Sequence, residues 1–260
     1  MTVSTGGATR YHIPMGTDFL ESLQIPGYKP RDLHLTPDLV AQCFRPEPNP
    51  GPNPEWTPIT DNDHERLAQS LMAGCDNSEI CIFGYGSLIW KPEFEVDRAI
   101  RATAMGWHRE FCIEQTRWRG TPDLPGLMLA LQPGGDCDGV ALYPNRDRAQ
   151  EVIRKLIKRE ITDLESIDMA RWIELAAGTE KLDAIVFWAG PKGRGISSGL
   201  PLASVAHRLA YACGHFGSSA EYLFNTVSNL EALGIDDQNL WEIQKLAARE
   251  ILTWNAPQDS

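Results

Sequence analysis

Two hydrophobic periods divide the chain. Between residues 80 and 188, short apolar runs alternate with Gly, Pro and Asp clusters, the pattern of strands and turns. Ile80-Cys81-Ile82-Phe83 is the first such run; 103–115, 127–132 and 139–143 follow. Residues 171–176 and 182–188 pair through a turn at Gly178-Thr179-Glu180-Lys181. Helical spacing takes over at 147–160 and again at 202–213, 219–232 and 237–252. Strands first, one central helix, then helices is an α+β order rather than alternating βαβ units.

Residues 1–75 differ from this core. Prolines at 46, 48, 50, 52, 54 and 58 fix φ and remove donors, so this stretch runs extended. It reads as a linker or as an arm packed over the main domain. Thr60 then opens a short helix through Leu67, Leu71 and Met72, with Gly74 as its stop. The division expected is an extension over 1–75 and a main domain over 76–260.

Within 147–160, Ala149, Val152, Ile153, Leu156 and Ile157 form one apolar stripe, and its next position holds Glu160. Lys155, Lys158 and Arg159 fall on other faces and are expected in water. Glu160 has two readings. At a frayed helix end it turns to solvent or pairs with an arginine, because carboxylates are rarely buried unpaired. Lining a pocket, it has its pKa raised by desolvation and exchanges protons near neutral pH.

Phe83-Gly84-Tyr85-Gly86-Ser87-Leu88 leaves the first strand with two glycines one residue apart. Glycines there allow positive φ and close approach of a ligand to main-chain N–H groups, with a small anion such as an α-carboxylate as the natural guest. It is not a dinucleotide fingerprint: Ile89 stands where the third glycine is required, and no helix is expected to open there.

Net charge narrows the partners. At −11 the chain lacks the clustered Lys and Arg that nucleic acid or an anionic membrane rewards. No apolar run approaches the ~18 residues of a membrane span, and no signal pattern opens the chain. Six cysteines without a C-x-x-C pair, several beside apolar residues, suit reduced buried thiols and a cytoplasmic setting.

Four ordered segments resemble one family. Ile82-Phe83-Gly84-Tyr85-Gly86-Ser87-Leu88-Ile89-Trp90 looks like the opening motif of ChaC-like γ-glutamylcyclotransferases. Gly106-Trp107-His108-Arg109-Glu110-Phe111-Cys112 resembles the family's second strand, Lys158-Arg159-Glu160 its Arg-Glu pair, and Glu221-Tyr222-Leu223-Phe224 its Tyr-Leu-Phe helix. With Leu124-Pro125-Gly126 the likeness covers roughly 80–250, and it is greatest to bacterial members with an N-terminal extension.

The resemblance implies a compact mixed β-barrel flanked by helices. It also implies that glutathione, or a related γ-glutamyl amide, is cleaved to 5-oxoproline and the free amine without metal or cofactor. Backbone groups of Gly84, Tyr85, Gly86, Ser87, Leu88 and Ile89 would hold the γ-glutamyl moiety, Glu160 would be the acid/base, and Tyr222 would lie near the substrate. Two departures stand out. Ile161-Thr162-Asp163-Leu164-Glu165-Ser166 replaces the family's Gly-x-Tyr segment with two extra residues, and Leu127 replaces the arginine of Pro-Gly-Arg. Both bear on the part of the pocket that reads the rest of the substrate.

Other motifs point elsewhere. Gly195-Ile196-Ser197-Ser198-Gly199 matches the G-x-S-x-G elbow of serine hydrolases, yet polar residues precede it and Pro201 follows. A flexible loop, a flap beside the site, is the expectation there. His207 and His215 sit eight apart on a helical stretch without a third ligand at metal spacing. A non-catalytic γ-glutamyl-binding protein on the same scaffold remains the alternative, and Glu160 separates it from an enzyme.

Overall fold

The structure, a computed structural model, describes residues 18–75, 79–191 and 195–254. Five strands close a barrel: β1 (Ile82–Gly84), β2 (Val96–Gln115), β3 (Gly126–Pro144), β4 (Ala170–Ala177) and β5 (Glu180–Phe187), in the order β1-β3-β2-β4-β5. β1 runs antiparallel to β3, with Phe83 opposite Ala141, and parallel to β5, with Ile82 opposite Ile185. That last pairing removes the sheet's free edges. The barrel is therefore mixed, as expected.

Two strands run further than their apolar runs predict. β2 begins at Val96, and 127–132 and 139–143 are one strand, β3. The turn expected between them is a bulge: Trp107 pairs with Pro133 and Met105 with Asp136. Gly134 and Gly135, at φ 108° and 69°, absorb the extra residues without reversing the chain.

Helices cover the outside: α1 (Pro37–Gln42), α2 (Asp61–Ala73), α3 (Ser87–Trp90), α4 (Ala149–Glu160), α5 (Leu202–Tyr211), α6 (Ser219–Ala232) and α7 (Gln238–Thr253). α5 stops earlier than its predicted range. Cys213–Gly214 and Gly217–Ser218 pair as two short strands, so His215 lies in a turn and not on a helix. Among the described residues no helix is long and apolar enough to cross a membrane.

The extension is an arm. Leu35, Leu39, Val40 and Cys43 are buried in the same hydrophobic cluster as Phe83, Leu142 and Leu223. Arg31 donates to Glu231 of α6 through its backbone N–H (2.8 Å to Oε1), Nε (3.0 Å to Oε1) and Nη2 (2.7 Å to Oε2), and Tyr28 donates to Oε1 at 2.7 Å. Residues 1–17 of the extension lie outside the described residues. α2, whose Thr60–Asp63 capping box forms at its N-terminus, lies on α4 through Glu65–Arg154 (2.6 Å) and Asp61–Lys158 (2.6 Å).

Candidate active site

α4 buries Ala149, Val152, Ile153, Leu156 and Ile157, the stripe read from the sequence, and ends on Glu160. The carboxyl lines a cavity of about 450 Å³ between the barrel mouth, α4 and α6. Its Oε1 lies 3.1 Å from Arg159 Nε but accepts no hydrogen bond among the described residues. Each reading of Glu160 therefore holds in part: an arginine is beside it, and it faces a pocket. Burial raises the Glu160 pKa above the ordinary carboxylate range; the Arg159 charge opposes this and Glu93 adds to it. Desolvation wins.

Arg159 is not the free surface cation that helical spacing suggests. Its Nη2 donates to Ser87 Oγ at 2.8 Å and its Nη1 to the Lys91 carbonyl at 2.7 Å. It thus pins the glycine loop to the helix that carries Glu160.

The loop itself differs from expectation in two ways. A single helical turn does open at Ser87, closed by Ile89 N–H to the Gly86 carbonyl (2.9 Å) and Lys91 N–H to Ser87 (2.7 Å). Neither Gly84 nor Gly86 has positive φ. Space is what they supply: a Cβ on Gly84 would stand 3.1 Å from Leu142 Cδ1. One on Gly86 would stand 3.3 Å from Leu129 Cδ2 and 3.4 Å from the Tyr222 hydroxyl.

A recess of about 30 Å³ opens off the main cavity, and Tyr85, Gly86, Ser87, Leu88, Glu160 and Tyr222 all line it. The fold thus brings together six of the eight residues singled out from sequence. Gly84 and Ile89 stand behind the lining, Ile89 fully buried with its N–H already used within the turn. Tyr85 donates its hydroxyl to the Phe187 carbonyl, and burial pushes its pKa well up. Tyr222 is clamped edge-on by Trp90 and Phe111, with centroids 5.9 and 6.0 Å away. Burial, reinforced by Glu160, pushes its phenol up to about 12, so it stays protonated and able to donate.

Sequence reasoning missed Gln115 and Arg119, which also line the cavity. Gln115 ends β2, 4% exposed, and its Oε1 is a buried acceptor without a partner among the described residues. The sequence offered no comparable signal, because β2 carries many polar residues, Glu114 beside it among them. Arg119 is held by Glu221 at 2.8 Å and faces the Tyr222 ring.

Neither the serine motif nor the two histidines line this cavity. Ser197 Oγ donates to Glu114 at 3.0 Å rather than to a histidine, and its N–H bonds the Cys112 carbonyl at 2.7 Å. That loop is pinned along β2, and its described part does not line the cavity. Lys192, Gly193 and Arg194 lie outside the described residues. His207 pairs with Glu250 at 3.0 Å and His215 with the Arg117 carbonyl at 2.7 Å. No group of three His, Cys, Asp or Glu among the described residues is placed to hold a metal ion. Leu127 packs in the core, whereas Thr162, Asp163, Glu165 and Ser166 of the altered segment line the cavity.

A closed mixed barrel flanked by helices, with the Glu160 carboxyl facing a recess lined by the glycine loop, has the γ-glutamylcyclotransferase-like fold. The family model for ChaC-like protein matches residues 80–250, and the chain belongs to that family. It is 34% identical over 192 residues to the "Glutathione-specific gamma-glutamylcyclotransferase" of Escherichia coli (strain K12), covering 74% of this chain and 82% of the relative. The Homo sapiens "Glutathione-specific gamma-glutamylcyclotransferase 1" is 26% identical over 187 residues, covering 70% and 84%. The fold matches a crystal structure of a yeast γ-glutamyl cyclotransferase specific to glutathione. There the TM-score is 0.57 at 22% identity, covering 66% of this chain and 97% of the other.

Proposed function

We propose that the protein is a γ-glutamylcyclotransferase that cleaves glutathione to 5-oxoproline and Cys-Gly. The observation that carries this is the Glu160 carboxyl, desolvated yet facing the recess that the glycine loop and Tyr222 also line. A γ-glutamyl amide contains its own nucleophile. Folding the chain brings the α-amino nitrogen against the γ-carbonyl carbon and lowers the entropic part of the barrier. Glu160 takes a proton from the α-ammonium, the new C–N bond closes the five-membered ring, and the γ-amide C–N bond breaks. The same carboxyl then returns its proton to the departing amine, and the second proton of the ring nitrogen is lost to water or to that amine as the lactam forms. A raised pKa suits both steps, because it narrows the gap to the amine.

The turn from Gly86 to Leu88 offers N–H and hydroxyl groups for the α-carboxylate. The protonated Tyr222 hydroxyl is the candidate donor for the developing oxyanion. Buried free thiols at Cys43, Cys81, Cys112, Cys137 and Cys213 suit a reducing, cytoplasmic setting. Incubation of the purified protein with glutathione tests the reading: 5-oxoproline and Cys-Gly should appear in equal amounts. Product from another γ-glutamyl amide only would overturn the substrate, and product from none would overturn the reaction.

A further inference from the structure

We propose that Trp56 of the proline-rich arm is a specificity-determining part of the substrate site, contacting the portion of the substrate beyond the scissile amide. The inference rests on the reading of Glu160 and the glycine loop given above.

The cavity has two ends. The recess beside the glycine loop and the larger cavity share Tyr85, Ser87, Glu160 and Tyr222, which mark where the bond is broken. Trp56, Thr162 and Ser166 line only the larger cavity. At about 30 Å³ the recess takes only the head of the γ-glutamyl group, so the rest of the substrate occupies the larger cavity, whose wall includes these residues.

The arm is built into that wall. Pro58 bridges to Asp163, Leu164 N–H donates to the Thr57 carbonyl at 3.0 Å, and Thr57 Oγ1 donates to Glu165 at 2.9 Å. His64 Nε2 bonds the Ile161 carbonyl at 2.8 Å, so α2 also holds the first residue after Glu160. The two parts of the chain that depart most from the family pattern, the arm and the segment 161–166, therefore dock on each other at the cavity. The family match begins at residue 80, which leaves Trp56 outside the shared core. Part-buried between Pro54 and Pro58, the indole has little freedom to lose on binding, and Met169 and Trp188 are further apolar members of the same cavity wall. Such a wall fits the methylene and thiol of a departing cysteinyl amine.

The test compares glutathione with γ-glutamyl methylamide, whose amine is too short to pass the scissile bond by more than one carbon. In Trp56→Ala, the KM for glutathione should rise about tenfold, the effect of losing one apolar pocket contact, with kcat within twofold of wild type. The Ki of the methylamide as a competitor of glutathione should stay within twofold, and Trp56→Phe should restore most of the glutathione KM. An unchanged glutathione KM, or an equal loss for both compounds, would overturn the proposal. Should Trp56→Ala lose its fold, Trp56→Gln keeps a side chain of intermediate bulk without the apolar ring and must show the same selective rise; no rise there would overturn it equally. If wild type yields no 5-oxoproline from glutathione or any γ-glutamyl amide, the reaction itself is wrong. Wild-type turnover with indifferent variants sinks the present inference alone.

Discussion

Arg159 and Glu160, neighbours at the end of one helix, divide the work of the site between them. Arg159 Nε stands 3.1 Å from Glu160 Oε1 while its Nη2 holds Ser87 at 2.8 Å. One guanidinium thus sets both the charge felt by the Glu160 carboxyl, the proposed acid/base group, and the position of the loop opposite it. Lysine keeps the charge but cannot span both contacts. Arg159→Lys should therefore lower kcat/KM about 10- to 100-fold, the scale of a small misplacement of reacting groups. The acid limb of its pH profile should move little. Steady-state kinetics across pH checks both.

The pH profile carries a second prediction. Burial raises the Glu160 pKa, and the Glu93 charge adds to it. The base form is required to accept the α-ammonium proton, so activity should fall toward acid with an apparent pKa above the usual carboxylate value of 4.5. Glu93→Gln removes a repelling charge, eases ionisation of Glu160 and should shift that limb downward. An upward shift would contradict the electrostatic account.

Gly86 is predicted to tolerate no side chain without cost to activity. In Gly86→Ala the new Cβ would press on Leu129 at 3.3 Å and on the Tyr222 hydroxyl at 3.4 Å. Either neighbour must give by a few tenths of an ångström, inside the recess. A loss of about 10- to 100-fold in kcat/KM is expected, with a melting temperature within a few degrees of wild type.

Much of this was legible in the chain. Periodicity placed α4 and its five buried residues and isolated Glu160, because one polar residue on an apolar stripe is visible against a period of 3.6. The bulge at Gly134–Gly135 was not, since the same residues signal a turn and only cross-strand pairing tells the two apart. Arg159 was placed in water because spacing assigns a face and cannot show that the glycine loop folds back over it. Trp56 was hidden for the same reason, by contacts that join residues far apart in sequence.

The arm should contribute to stability through one buried carboxylate. Burial alone would raise the pKa of Glu231, yet the hydrogen bonds from Arg31 and Tyr28 bring it down to about 2. A depressed carboxyl stabilises the fold above its unfolded pKa and loses that contribution as pH falls toward its folded value. Glu231→Gln should cost about 1–3 kcal/mol at neutral pH, with Arg31 still half in solvent. Its deficit should shrink between pH 4.5 and about 2. Denaturant melts at several pH values read this directly.

The central claim is that Glu160 transfers the protons of the cyclisation. Glu160→Gln keeps the shape of the side chain and removes its basicity. The decisive measurement is 5-oxoproline formed from glutathione by wild type and Glu160→Gln, alongside glutathione binding by calorimetry. Turnover in the variant should fall by at least about 100-fold, the lower range for general acid–base catalysis, while binding persists. Turnover by Glu160→Gln at the wild-type rate would contradict it, as would binding without turnover in the wild type itself.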